Sequence, residues 1–320
     1  MSLPEVIRSL LEPSAYPERP SGVELKQTHI SYLFFTPEYV YKIKKPVNFG
    51  FLDFTTLEKR RFYCHQELTL NRRMTEGVYI NVLPIVKKGS GEITVGGKGK
   101  TIEYAVKMKR LPPEMMLNRM LEDGRISNDI VKETARVIAN FHLKADSTKE
   151  ISRYGLPAVL RRNSEENFMQ TEGFIKRTIS QKQFKEISRY TRAMLEDSQG
   201  LFIQRVEEGN IKDLHGDIHS DHVCISDGIQ IFDCIEFNER FRYSDVVSDM
   251  AFLAIDLDFY NRHDLSKVFA EAYFETTKDK AGRKLLDFYK CYRAYVRGKV
   301  EGFKLDEEEV PDGEKEASKI

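Results

Sequence analysis

The sequence predicts an α+β protein in two parts, and three observations carry that expectation. Runs rich in β-branched and aromatic residues fill Glu24 to Phe35, Tyr39 to Lys45 and most of the stretch from Tyr79 to Arg110, with one helical segment inserted among them. Beyond Leu111-Pro112-Pro113 the apolar residues switch to helical spacing and keep it to about Phe303. The consecutive prolines between these textures end the last strand and stiffen the connection, which marks them as the boundary. A chain of 320 residues, 41% of them hydrophobic, has enough apolar surface for a core in each part.

Residues 1–22 read as a short helix followed by a linker in which Pro13, Pro17 and Pro20 end the helix. Residues 23–111 form the sheet-based part. Thr36-Pro37-Glu38 has the chemistry of a hairpin turn, and alternation along Val40-Tyr41-Lys42-Ile43-Lys44 sets both lysines on the face opposite Tyr41 and Ile43. Thr55-Thr56-Leu57-Glu58 has the form of a capping box, so a helix is expected from there through Glu67 to about Met74. Strands over 79–87, 92–95 and 101–110 bring the sheet to about five. Gly96-Gly97-Lys98-Gly99-Lys100-Thr101 ends like a phosphate-binding loop, but the first glycine of that pattern would fall at Thr94 and strands flank it, so a hairpin turn is expected.

Residues 112–304 form the helical part. Ser127 can cap a helix whose apolar positions Ile130, Val131, Ala135, Ile138 and Phe141 repeat every three or four residues. Polar helices follow between Ser164 and Asp197, then an apolar helix from Asp245 to Leu257 behind Ser244, and a last one from about Lys284 to Phe303. Residues 305–320 are charged and nearly free of large apolar groups, the composition of a linker or disordered tail.

The most informative stretch is Leu214–Phe237, LHGDIHSDHVCISDGIQIFDCIEF. Asp217 follows a His-Gly pair that forces a bend, so its carboxylate projects from a loop. Asp233 ends the apolar run Ile229-Gln230-Ile231-Phe232, a strand entered from a turn at Asp227-Gly228. A loop carboxylate and a strand-end carboxylate placed so can converge on one point. His215 reads as a residue that shapes the loop, and Asp249, on the apolar helix, as one that braces it.

A small sheet with a strand lysine, an inserted helix with a glutamate, a hinge, and then helices bearing a loop Asp and a strand-end Asp follow the order of protein-kinase-like folds. His215-Gly216-Asp217-Ile218-His219 resembles the HGDxH catalytic loop of the aminoglycoside-phosphotransferase-like kinases, and Phe232-Asp233 resembles their metal-binding strand end. The runs FDCIEFNERFRYSDVVSDMAFLAIDLDF and CYRAYVRGKVEGF are similar to an uncharacterised bacterial branch of that family, often followed by a P-loop ATP-binding domain. The resemblance covers about residues 24–303. It implies a two-lobed protein-kinase-like fold, with a small sheet-based lobe and a larger, mainly helical lobe, and ATP and metal bound between them. It implies phosphorylation of a small-molecule hydroxyl by ATP with Mg²⁺. Asp217 would be the base and Asp233 a metal ligand, with Lys42 on the phosphates and Glu67 paired to that lysine. The base of the nucleotide would lie at Met108, Lys109, Arg110 and Leu111. Where the family has a glycine-rich loop this chain has Thr28, His29 and Ser31, whose backbone and hydroxyls would face phosphate. Where it has a metal-binding Asn this chain has His222, which predicts a weakened second Mg²⁺ site or a preference for Mn²⁺.

Composition bounds the partners. Lys+Arg and Asp+Glu number 50 each, so no basic surplus points to nucleic acid. No apolar run has the length of a membrane span, the N-terminus lacks a signal-peptide pattern, and Cys64, Cys224, Cys234 and Cys291 lack CxxC spacing, which suits a cytoplasmic protein with reduced thiols. The expected partners are ATP and a small acceptor. Arg153, Arg161, Arg162, Glu165 and Glu166 are candidates to contact the acceptor, and their mixed charge leaves its class open. Two other functions stay open. His222 and the missing glycine loop suit a nucleotide-binding regulator without turnover, and the cluster His215, Asp217, His219, Asp221 and His222 suits a zinc hydrolase, whose HxHxDH pattern it departs from at Asp217.

Overall fold

The computed structural model describes residues 3–305, so the expected tail falls almost wholly outside the described residues. Along the chain run α1 (Glu5–Ser9), β1 (Glu24–Gln27), β2 (Ser31–Phe35), β3 (Tyr39–Lys44), α2 (Leu57–Asn71), β4 (Tyr79–Lys87), β5 (Ile93–Val95), β6 (Lys100–Lys109) and α3 (Leu117–Glu122). Then come α4 (Asn128–Lys144), α5 (Lys149–Ser152), α6 (Pro157–Thr171), α7 (Gln181–Asp197), α8 (Gln199–Glu207), β7 (Ile211–Asp213), β8 (Val223–Ile225) and β9 (Ile229–Ile231). The last elements are α9 (Glu239–Arg242), β10 (Tyr243–Asp245), α10 (Val246–Phe259), α11 (His263–Thr277), α12 (Lys280–Arg283) and α13 (Leu286–Lys304). The class is α+β, as expected. The chain divides into two compact units, one within Met1–Arg125 and Asp221–Arg242, the other within Ile126–Ser220 and Tyr243–Ile320.

The first unit is built on a six-stranded antiparallel sheet of order β1-β2-β3-β6-β4-β5. It has one strand more than the sequence suggested, because the run from Glu24 to Phe35 folds back on itself. The Thr28 backbone N–H donates to the Ser31 carbonyl (2.9 Å) and the Thr28 hydroxyl accepts the Ser31 N–H (3.0 Å), closing a turn between β1 and β2. The turn at Gly96–Gly99 also differs from expectation. It does not close a hairpin of adjacent strands, since β5 pairs with one side of β4 and β6 with the other.

Alternation gives the sheet two cores. On one face Tyr41 and Ile43 pack with Phe34, Ala105 and, from the N-terminal segment, Ile7, Leu10 and Tyr16. On the other, Val40, Val106 and Met108 pack with Cys64 and Leu68 of α2. Lys42 and Lys44 share the register of Val40, so they lie on the α2 side of β3. Thr56 caps α2, accepting the Lys59 N–H at 3.2 Å, while Thr55 bonds to Asp53. The cap is therefore one residue later than the capping-box pattern indicated, and the helix ends at Asn71.

In the second unit α4 packs on α11, and α10 on both α11 and α13. Its apolar centre includes Ile138, Met250, Leu253, Phe269 and Phe288. Asp245, not Ser244, caps α10 by accepting the Val247 N–H at 2.8 Å; Ser244 belongs to β10, which pairs with β7. Buried Arg205 of α8 ties this corner together through Asp245 and through Asp279, the latter at 2.8 and 2.9 Å. Ser127 caps α4 as expected, accepting the Ile130 N–H at 3.3 Å. Ser127→Ala should cost about 1 kcal/mol of stability, seen as a lower urea midpoint with an unchanged slope.

Candidate functional site

In the first unit a cluster of buried charge forms where β3, α2 and the end of β9 meet. Lys42 Nζ pairs with Glu67 Oε1 at 2.9 Å and donates a hydrogen bond to Asp233 Oδ1 at 2.5 Å. The Lys42 side chain keeps 10% of its surface exposed, Asp233 38%, and Glu67 none. Burial works against the charge on each. For Lys42 it is outweighed by Asp233 and Glu67, which hold the ammonium well above its ordinary value; for Glu67 it is outweighed by Lys42 and Lys44, which hold the carboxyl below. Burial likewise opposes ionisation of Asp233, but Lys42 and then His222 keep it ionised.

The strand-to-loop geometry explains how Asp233 comes to face Lys42. Asp227 and Gly228 take positive φ (50° and 95°) and make the tight turn of the β8–β9 hairpin. After β9, Asp233 itself stands at φ 62°, a left-handed conformation that costs a residue with a Cβ energy and needs neighbours to hold it. Those neighbours are present: the Asp233 N–H donates to the Tyr79 hydroxyl (3.2 Å) and the Cys234 N–H to Asn71 Oδ1 (2.8 Å). His222 ends the segment leading into β8, and its Nε2 lies 3.6 Å from Asp233 Oδ2. One carboxylate oxygen and one imidazole nitrogen at that spacing suit two adjacent ligands of a divalent cation, with nitrogen favouring Mn²⁺ over Mg²⁺.

In the second unit the HGDxH segment is a loop fixed from behind. Gly216 has φ 86°, which turns the chain before Asp217. Asp249 of α10 is fully buried and accepts the His215 N–H (3.1 Å) and the Gly216 N–H (2.9 Å). Arg293 of α13 donates to the Gly216 carbonyl at 3.2 Å. The Asp217 N–H donates to His215 Nδ1 (3.2 Å), so His215 does shape the loop, and the half-exposed Asp217 carboxylate stands 3.5 Å from His219 Nε2.

The remaining expected residues take varied positions. The Thr28 hydroxyl is engaged in the β1–β2 turn, and Ser31 is buried on β2. Met108 lies in the apolar cluster on the α2 side of the sheet, and Leu111 packs against the same cluster, as does Phe232. The Lys109 N–H donates to Val78 and the Arg110 N–H to Glu38, both at 2.8 Å, so these two backbone donors are used within the sheet unit. Glu165 of α6 is held in a two-point pair with Arg192, both bonds 2.7 Å. Sequence reasoning missed Glu236, Tyr79 and Asn71. Asn71 alone had a signal, since it lies one turn after Glu67 on the same face of α2.

No family model matches the chain. Over 280 residues, 87% of this chain, the sequence is 31% identical to uncharacterised proteins of Mycobacterium tuberculosis and Mycobacterium bovis. The match takes in 54% of each, so the chain spans about half the length of the curated relatives it matches. Among solved structures the fold is similar to that of a choline/ethanolamine kinase family protein from Mesorhizobium loti. The TM-score is 0.52 at 10% sequence identity, with 98% of this chain and 91% of that chain covered. At that identity the likeness concerns the fold, which is protein-kinase-like: a sheet-based unit and a larger, mainly helical one.

Proposed function

We propose that this chain transfers the terminal phosphoryl group of ATP to a hydroxyl of a small molecule. The observation that carries the reading is Lys42, a strand lysine held between a buried helix glutamate and a carboxylate in left-handed conformation that remains partly open to solvent. Lys42 is the better candidate for phosphate than Lys44, because Lys44 has only 1% of its side chain exposed. The fold supports the reading, since the Mesorhizobium protein that shares it is described as a choline/ethanolamine kinase family protein.

Each residue then has a task. Lys42 neutralises phosphate charge, and Glu67 keeps the lysine extended toward it. Asp233 and His222 would hold a divalent cation, which when bound screens the charge of the phosphates. Asp217 accepts the proton of the acceptor hydroxyl and orients it. Leu33, Val40, Met108, Leu111 and Phe232, all in or against one apolar cluster, offer a surface for the adenine ring. The match leaves close to half of each mycobacterial relative uncovered, which is room for the P-loop domain that the resemblance implies for this branch.

A thermal-shift titration with ATP and Mg²⁺ or Mn²⁺ tests the reading. Nucleotide and metal together should raise Tm by several degrees, the size expected from ligand near 100 times its Kd. Asp233→Asn should remove most of the metal-dependent part. Stabilisation by Zn²⁺ alone, with no response to nucleotide, would sink the proposal, whereas nucleotide binding without ADP release in any screen of hydroxyl compounds would favour a regulator.

A further inference from the structure

Lys44 is a buried charged residue beside Lys42 that the phosphoryl-transfer reading leaves unused. Its ammonium lies 2.7 Å from Glu67 Oε2, is paired with Glu236, and stands 4.9 Å over the Phe54 ring. An ammonium and two carboxylates removed from water are costly unless each charge is matched, so such a cluster persists only where the partners are held in register. The two oxygens of Glu67 are divided between two lysines, Oε1 to Lys42 and Oε2 to Lys44. Without Lys44, Glu67 and Glu236 would be neighbouring buried carboxylates, and one of them would take up a proton or turn away.

The same cluster joins two pieces of chain. Asn71, one turn beyond Glu67, donates from Nδ2 to the Glu67 carbonyl (2.8 Å) and accepts the Cys234 N–H on Oδ1 (2.8 Å). Helix α2 is therefore tied to residues 233–236 by Asn71 to Cys234 and by Glu67, which reaches Asp233 through Lys42 and Glu236 through Lys44.

We propose that Lys44 and Glu236 are positioning residues for Lys42: they lock α2 to the segment after Asp233, so that the Lys42–Glu67 pair is assembled in the free chain without modification of that segment. The coupling stands on this geometry alone, and its consequence for nucleotide binding rests on the phosphoryl-transfer reading.

Hydrogen–deuterium exchange without nucleotide separates the two. In Lys44→Met and in Glu236→Ala, exchange in residues 57–71 and 233–236 should rise together by about tenfold, while β1 and β2 stay within about twofold. The affinity for ATP with Mn²⁺ should fall by about tenfold in both, and Glu236→Gln, which keeps an oxygen for Lys44, should recover most of that loss. Exchange that rises evenly through the sheet, or a lower Tm with unchanged nucleotide affinity, would reduce Lys44 to a structural part and overturn the proposal. A wild-type chain that binds no nucleotide would sink the phosphoryl-transfer reading, and the exchange pattern would still decide the coupling.

Discussion

Asp217→Ala is expected to lower turnover by about 10³-fold and to leave nucleotide affinity within about twofold. Asp217 sits on a loop that is held from behind. Its backbone is fixed: the N–H donates to His215 Nδ1, and the bend before it is held by Asp249 and Arg293. Its carboxylate is half-exposed and faces His219 Nε2 at 3.5 Å, while the bend is held through backbone groups, so the loop should keep its course when the carboxylate is removed. A group placed to receive a proton contributes in the transition state and little in the ground state, so its loss should appear in kcat and leave binding almost unchanged. Single-turnover ADP release with an acceptor found by screening, set beside equilibrium binding of a non-hydrolysable ATP analogue, makes the comparison. Equal losses in both would show that Asp217 binds ATP or its metal and is not the base.

Much of the architecture was legible because it depends on local rules. β4 runs from Tyr79 to Lys87, as its content of β-branched and aromatic residues predicted, and Ser127 caps α4 because its hydroxyl can reach the third amide onward. The misplaced caps have local causes too. Thr55 and Thr56 are equally good acceptors, and Asp53 takes up the first of them, which leaves Thr56 to the helix. Asp245 takes the cap in place of Ser244 because β10 runs on through Asp245, which then stands next to the first turn of α10 and accepts the Val247 N–H. Sheet order was less accessible. Nothing near Gly96–Gly99 says that β6 will pass to the far side of β4, since that choice is made by burial across the whole sheet.

The charged cluster divides in the same way. Lys42 and Lys44 sit alike in the alternation of β3, so periodicity names both, and it is the resemblance of the Val40-Tyr41-Lys42 context that favours Lys42. What separates them is the company each finds, Asp233 for Lys42 and Glu236 for Lys44, and those partners are almost two hundred residues away in the chain. Glu236 in particular reads as an ordinary acid in a connecting segment. Only the turn of the backbone at Asp233 aims it at α2. Pairings across such distances follow from the assembled fold, so the motif around Asp217 and Asp233, with Glu67, His215 and Asp249 behind it, was visible while Glu236, Tyr79 and Asn71 were not.

Asp249→Asn should destabilise the chain by about 3 kcal/mol near neutral pH and slow turnover with it. The carboxylate accepts two backbone N–H groups, from His215 and Gly216, and its Oδ2 also faces His142 Nε2 at 3.2 Å. His142 Nδ1 in turn lies 2.8 Å from the Tyr273 hydroxyl, so a Tyr273 donor and an Nε2–H donor form one consistent arrangement ending on Asp249. An amide in place of the carboxylate keeps one acceptor and points a second donor at donors, inside a site with no water-exposed surface. The pH dependence provides a separate check. Burial would raise the Asp249 pKa, but the hydrogen bond from His142 and the electrostatic influence of His142, His215 and Arg293 outweigh it and hold it below the ordinary aspartate value. A carboxyl depressed on folding adds stability that is complete above the unfolded pKa, about 4, and is lost as pH falls through the folded value. The difference between wild type and variant should thus be largest at neutral pH and shrink steadily below about pH 4, first as the unfolded chain's carboxyl takes up a proton and finally as the folded one does. Urea unfolding of both proteins from pH 7 to pH 3 measures it. A gap that stays constant across that range would mean that Asp249 acts through shape alone, and that the charge behind the Gly216–Asp217 bend does not hold the loop in place.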